Sequence, residues 1–414
     1  MLDIRFVREH ADEVQINAKN KGYDVNVEEL LKWDSTKRQL QQQADDVREK
    51  RNDISSRMKG GKPSDELIAE GKQLREALAG MEGALKEAET ELASRLDQLP
   101  NMMFSDVPIG AEEDSVEIKR WGKQETGATD HLDYAVARDW VDFERGAKVA
   151  GAKFYYLKGD LALLENAITQ FALDFVTKKG FTFMTVPHMV NSKIAQGAGF
   201  APKSSIESNE YFIEGEDLTL IGTAEAPLTG YHADEIIDED KLPLLYAGLS
   251  PCYRKEAGTY GKHSRGLFRV HQFNKLEMYA FTTPEQSAEM HERILAIEEE
   301  IWQTLGVPYH VINIASGDLG APAAKKYDLE YWSIVDGAFR ELTSCSNCTD
   351  FQARSLNIRV RRKDGRVETM HTLNGTAVSL ARSLVAIMEH NQTEDGKLTV
   401  PEVLRPYMGG REII

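Results

Sequence analysis

Nowhere in the 414 residues do roughly 18 apolar side chains run uninterrupted, so no stretch is long enough to cross a bilayer as a helix. The opening MLDIRFVREHADEV lacks the apolar core of a secretory leader; the expected compartment is the cytoplasm, with no membrane partner. Only three cysteines occur, Cys252, Cys345 and Cys348, too few for a disulfide framework. Cys345 and Cys348 form a CxxC, but a zinc site wants a second Cys or His pair at suitable spacing, which the chain lacks. Reduced buried thiols and no structural zinc are expected. Positive charge is also short. Fifty Lys and Arg face 67 Asp and Glu, a net charge of −17, which repels indiscriminate binding to nucleic acid and leaves that task to local patches. Phosphate-loop signatures are missing as well: Gly261-Lys262 looks like the end of a P-loop, but Glu256 stands where its first glycine belongs and His263 where Ser or Thr should follow. No GxGxxG follows a strand, and there are no internal repeats or low-complexity tracts. A nucleotide would have to be held by side chains.

What is present is a chain of 41% apolar residues, enough for a sizeable core in two or three domains. Leu40, Ala44, Val47, Ile54 and Met58 keep steps of three and four, with Arg51 in the seam. Past Gly60-Gly61-Lys62-Pro63 the spacing resumes at Leu67, Leu74, Leu78, Met81, Leu85, Ala88, Leu92, Leu96 and Leu99. A heptad on both sides of a Gly-Pro turn predicts an antiparallel helical hairpin over about 27–99, turning at 59–64 and projecting roughly 50 Å. Such a hairpin serves equally as a spacer or dimerisation coiled coil. Charge is uneven along it: residues 48–62 carry Arg48, Lys50, Arg51, Arg57, Lys59 and Lys62 against Glu49 and Asp53, whereas residues 81–97 are acidic. A basic excess toward the far end suits a polyanion, although salt-laced helix faces produce the same pattern.

Residues 101–115 read as a linker by their Pro, Gly and acidic content, and a second domain is expected over 116–414. GDLALLENAITQFALDFVTKKG, ending at Gly180, has helical spacing, and Phe181 to Val186 reads as a strand stopped by Pro187. Strands and helices then mix without βαβ alternation, which predicts an α+β fold with a mainly antiparallel sheet.

Three stretches can carry chemistry. CYRKEAGTYGKHSRGLFRVHQFNKLE, residues 252–277, reads as two strands about a glycine-rich basic loop; alternation places Arg254 with Glu256, and His271, Phe273, Lys275, Glu277 and Tyr279 together. A salt-bridged hairpin has this pattern, and so does a nucleotide site, in which arginine takes phosphate, a ring stacks on a base and a carboxylate accepts from an exocyclic amine. RELTSCSNCTDFQAR, residues 340–354, puts Glu341 and Ser344 near the end of a strand, as hard oxygen donors suited to Mg²⁺. In residues 374–391, Asn374-Gly375 is read as starting an apolar helix in which Arg382 needs an anionic ligand or a carboxylate partner.

Taken together these stretches resemble the bacterial-type seryl-tRNA synthetases, class II aminoacyl-tRNA synthetases, over essentially the whole chain. GFTFMTVP (180–187) looks like class II motif 1, YRKEAGTYGKHSRGLFRVHQFNKLE like motif 2 and NGTAVSLAR like motif 3; TAE at 223–225, SCSNCTDFQAR and the closing VPEVLRPYMGG are similar to seryl-type segments. The resemblance implies a tRNA-binding coiled-coil arm within residues 1–100, a homodimer formed partly through motif 1, and serylation of tRNA-Ser, and of tRNA-Sec where one exists, through a seryl-adenylate. ATP, L-serine and Mg²⁺ are the implied small partners. It further implies an ATP site of Arg254, Lys255, Glu256, Phe273, Glu341, Leu342, Thr343, Ser344 and Arg382: Arg254 on the α-phosphate, Glu256 and Phe273 on adenine, Glu341 and Ser344 on the metal, and Arg382 on the γ-phosphate. Serine would lie among Thr223, Ala224, Glu225, Glu277 and Thr376, and tRNA along Arg48, Lys50, Arg51, Arg57 and Lys59. Several positions depart from the family pattern. Thr376 replaces Ser and Ala381 replaces Gly in motif 3, Gly222 precedes TAE where Pro is frequent, and Lys255 replaces Ser and is expected to point away from its neighbours. Two rival readings are weighed: a ligase loading a small amino acid onto a carrier protein, which would lack the long arm, and a non-catalytic coiled-coil paralogue, in which the ATP-site residues would have decayed.

Overall fold

The computed structural model describes residues 1–58, 64–200, 209–256 and 266–414. They form two compact units, Met1–Met102 and Met103–Ile414. In the first, short helices α1 (Ile4–Glu9) and α2 (Ala11–Asn20) precede the long helices α3 (Val27–Met58) and α4 (Asp65–Gln98). Ser64 caps α4 by accepting from the Leu67 amide. The seam is the one set by the heptads: Ala44 and Ile54 of α3 are buried, as are Leu78, Leu85, Ala88, Leu92 and Leu96 of α4. Ion pairs cross between the limbs from Arg48 to Glu82 at 3.1 Å and from Arg95 to Glu29 at 2.7 Å, exposed contacts that set register more than stability. At the base Asp34, 2% exposed, takes both Nε and a terminal nitrogen of Arg8 at 2.7 and 2.8 Å, which ties α1 to α3.

In the second unit the strands are β1 (Val116–Trp121), β2 (Thr182–Thr185), β3 (Leu244–Tyr253), β4 (Gln272–Thr282), β5 (Tyr309–Asn313), β6 (Lys325–Ser333), β7 (Ala338–Asn347) and β8 (His371–Ser379). They form one sheet in the order β1-β5-β6-β7-β8-β4-β3-β2. All neighbours are antiparallel except β2, which runs parallel to β3 at the edge. Helices α5 (Gly159–Lys178), α7 (Ser287–Leu305) and α9 (Leu380–His390) bury apolar stripes such as Leu161, Leu164, Ile168 and Phe171 of α5 and Ile294, Ile301 and Trp302 of α7 in one core with Leu276, Met278, Ala377 and Val378 of the sheet. Between them in sequence come two short helices, α6 (Glu225–Gly230) and α8 (Phe351–Ser355).

Residues 103–115, read from composition as linker, pack in the second unit: Met103, Phe104 and Val107 cluster with Ile314 and Leu319. Two element readings are corrected. Asn374 and Gly375 lie inside β8, not at the start of a helix, because the 371–379 backbone is laddered to β4 on one side and β7 on the other. Gly375 is required there: a Cβ would stand 2.2 Å from Ile294 Cγ2 and 2.7 Å from Glu298 Oε1 of α7. Likewise β3 ends at Tyr253, so Arg254 and Glu256 do not share a strand face.

Candidate functional site

A cleft of about 60 Å³ opens on the face of the sheet's centre, where β4, β7 and β8 meet the start of α9. Arg254, Glu256, Phe273, Glu341, Leu342, Thr343, Ser344, Thr376 and Arg382 all line it, with Phe268, Arg269, Lys275 and Ser379. Arg254 and Glu256 reach it although their strand has ended. The backbone bends sharply, with Glu256 at φ +49, a region costly for a residue with a Cβ, and the Glu256 carboxylate is held by Arg269 Nη1 at 2.8 Å. Lys255 is not among the lining residues. Its ammonium lies over the rings of Tyr211 and Phe212, 5.8 and 5.5 Å from their centroids, pointed away as strand alternation had led one to expect.

Two guanidinium groups face the cleft. Arg254 rests 5.3 Å from the Phe273 ring centroid and donates from Nε to the Gly222 carbonyl at 3.3 Å. Arg382 rests 4.9 Å from the Phe268 centroid, and its Nη1 lies 3.0 Å from Glu341 Oε1. The Glu341 side chain is 42% exposed because the cleft is open above it, while protein surrounds the carboxyl elsewhere. Burial works against its charge, yet Arg382 and Lys326 outweigh that and hold the carboxyl at about 2. It therefore stays an anion. Ser344 faces Asp328 across the β6–β7 ladder, a buried carboxyl whose Oδ1 finds no hydrogen bond among the described residues.

Deeper, Glu277 of β4 is paired with Thr376 of β8 in register. Lys275 contacts the Glu277 carboxylate, and Thr223 donates to it at 3.2 Å. The Thr223 hydroxyl in turn accepts the Glu225 amide at 3.2 Å, which closes the turn into α6. Ala224 is fully buried beside it. Glu225 Oε1 accepts from Gln352 Nε2 at 2.7 Å and Asn374 Nδ2 at 2.9 Å. Burial first, then the Glu277 charge, pushes the Glu225 carboxyl up to about 7. The candidate serine residues thus form one buried acidic nest that touches the cleft through Thr376.

Sequence reasoning assigned no role to Gln352, Asn374, Phe268 or Arg269. Lys275 was placed on the right face by alternation, but its contact with Glu277 needed coordinates. On the arm, Arg48 is bound by Asp45 and Glu82, and Arg57 lies 3.6 Å from Asp53; Lys50 and Arg51 stand exposed with no ion pair among the described residues. Lys59, the rest of the 59–64 turn up to residue 63, and all of GTYGKHSRG but its last glycine fall outside the described residues.

Residues 1–103 match the family described as seryl-tRNA synthetase N-terminal domain, and residues 210–391 the tRNA synthetase class II core domain (G, H, P, S and T). The serine–tRNA ligase of Dictyoglomus thermophilum is 47% identical over 422 residues, which take in 100% of this chain and 99% of that one. That of Methanocella arvoryzae is 44% identical over 428 residues, 100% of both chains. Among solved structures, seryl-tRNA synthetase from Pyrococcus horikoshii complexed with ATP superposes with a TM-score of 0.92 at 40% identity, across 100% of this chain and 99% of that one. With both units matched and the identity sustained from end to end, this chain belongs to the seryl-tRNA synthetase family of class II aminoacyl-tRNA synthetases.

Proposed function

We propose that the chain carries out its family's reaction, ATP-dependent attachment of L-serine to tRNA-Ser through seryl-adenylate, in the cleft above β4, β7 and β8. The observation that carries the residue assignments is the contiguity of two opposite environments. A wall with Arg254, Arg269 and Arg382 beside Phe268 and Phe273 meets, at Thr376, a nest with Glu225, Glu277 and Thr223. The first suits a purine and its phosphates, the second an ammonium and a hydroxyl.

In this reading adenine stacks on Phe273 and is read by Glu256, while Arg254 leaves the ring for the α-phosphate. Arg382 exchanges Glu341 for the γ-phosphate. Serine lies with its ammonium toward Glu277 and Glu225 and its hydroxyl toward Thr376 and Thr223, so that its carboxylate faces the α-phosphate in line. No protein nucleophile is required: positioning and fixed positive charge supply the acceleration. Mg²⁺ arriving with ATP fits the donor set of Glu341 and Ser344, hard oxygens of which the carboxylate stays ionised, and would offset phosphate charge. Among the described residues no cluster of three His, Cys, Asp or Glu is suited to a metal, consistent with phosphates and water completing such a shell.

The arm is assigned to tRNA, with Lys50 and Arg51 as its available cations. A homodimer is assigned to the open edge of β2, the strand of motif 1, where Phe183 is 40% exposed. Among the described residues no helix is long and apolar enough to cross a membrane; the cytoplasm is the proposed compartment, and the bacterial-type form the proposed subtype, on the strength of its motifs. The decisive test is ATP–pyrophosphate exchange across amino acids. Serine should support it; exchange with alanine or glycine in its place would overturn the pocket assignment, because a site built to bond a hydroxyl leaves buried groups unpaired without one.

A further inference from the structure

Behind the acidic nest one amide makes four hydrogen bonds. Gln352 of α8 donates from Nε2 to Glu225 Oε1 at 2.7 Å and to the Ala198 carbonyl at 2.9 Å. Its Oε1 accepts from Tyr279 Oη at 2.9 Å and Thr372 Oγ1 at 2.7 Å. The orientation of the amide is not open to choice, because a carbonyl such as that of Ala198 can only accept. Gln352 is fully buried. It has no spare bond and no room to turn, so Glu225 always meets an N–H on Oε1, joined there by Asn374.

Two N–H groups occupy Oε1, which leaves Oε2 to accept from serine in the proposed pocket and to take any proton the carboxyl gains. We propose that Gln352 is a positioning residue that keeps Glu225 Oε2 an acceptor for serine, so that serine affinity depends on pH through this buried amide. The inference rests on the assignment of Glu225 to the serine pocket. The serine ammonium offers only donors, and a protonated Oε2 would oppose it with another donor. The groups facing Glu225 pull in both directions. Glu277 of β4 favours the proton, as does burial, while Lys275 of β4, Arg254 after β3 and the Gln352 amide of α8 oppose it. Asn374 of β8 adds its N–H to Oε1, Cys348 lies 3.8 Å behind Asn374, and Tyr279 of β4 bonds the far side of Gln352. Gln352 touches Glu225 and is not among the residues that line the cleft.

The test is the KM for serine in ATP–pyrophosphate exchange, measured on the full-length protein from about pH 6 to about pH 9. Gln352→Met keeps the length of the side chain and removes the donor. Its KM should rise roughly fivefold near pH 7 and return toward the parent's by about pH 9, the acid limb moving up by about one unit, with the KM for ATP unchanged. A KM raised equally at every pH, or a limb that does not move, overturns the proposal. Should Gln352→Met fold poorly, Thr372→Val removes one anchor of the amide and leaves Nε2 in place; a smaller shift in the same direction is expected, and no shift counts against the proposal. Glu225→Gln separates the two readings. If it leaves the KM for serine unaltered, the pocket assignment itself fails; if it raises that KM while Gln352→Met leaves the limb in place, only the role of Gln352 fails.

Discussion

Arg382 and Glu341 neutralise each other across 3.0 Å. Arg382→Ala should reduce serine-dependent exchange by roughly a hundredfold to a thousandfold, the usual cost of losing one fixed charge at a transition state, with an unchanged circular dichroism spectrum. An intact rate would remove Arg382 from the phosphate site. Glu341 and Glu225 separate in pH. The first, held at about 2, is ionised throughout the working range and contributes no limb; the second, at about 7, loses its charge as pH falls through neutrality, and serine binding should weaken with it. Most of these residues were legible from sequence because their types are costly without a ligand or partner: an arginine among leucines, carboxylates on strands. Gln352 was not. An amide carries no charge and no period, and its role lies in four partners from separate parts of the chain.

Elements obey a different logic. Alternation identified β4 and its face, and heptads identified α3 and α4, because burial on one side imposes a period. The same reasoning extended β3 past Tyr253 and made a helix of Asn374 and Gly375, since neither the end of a ladder nor a strand buried on both faces leaves a periodic trace. One element is held by charge. His310 of β5 places Nδ1 2.7 Å from Glu117 of β1 and Nε2 2.6 Å from Glu330 of β6, with its ring stacked on Phe339. Burial disfavours the imidazolium, but Glu330 and Glu117 outweigh it and raise its pKa. Arg120 first and His310 second hold Glu117 at about 2. A raised histidine stabilises fully below its unfolded value of about 6.5 and loses that contribution as pH rises through the folded one. A depressed glutamate stabilises above about 4.5 and loses it as pH falls toward about 2. Both act together between about pH 4.5 and 6.5. Hydrogen exchange of the β1 amides, corrected for intrinsic rates, should show greatest protection there and decline as pH rises through the folded value of His310, and His310→Ala should remove the decline. Protection that ignores pH in the parent would refute the clamp.

At the size of the whole chain, the two units divide the work proposed for them. The arm's base is built on Asp34, Arg8 and Arg95, so a cut from residue 44 to residue 85 spares it and removes Lys50 and Arg51. The shortened protein should retain serine-dependent exchange and lose most charging of tRNA-Ser; full charging would withdraw the arm from tRNA binding. The assigned homodimer should sediment at twice 46.5 kDa, and Phe183→Glu should weaken it. The division into arm and catalytic domain was readable from one dimension, because a heptad, a turn and a run of charge are each local and each physically sufficient. So were the types of residue that line the cleft. Tertiary structure alone decided that Thr376 joins two environments, that a left-handed backbone at Glu256 brings it to the cleft, and that Gln352 stands behind Glu225. These depend on register and on contacts between residues as far apart as Glu225 and Asn374, and burial makes such contacts strong without leaving any pattern along the chain.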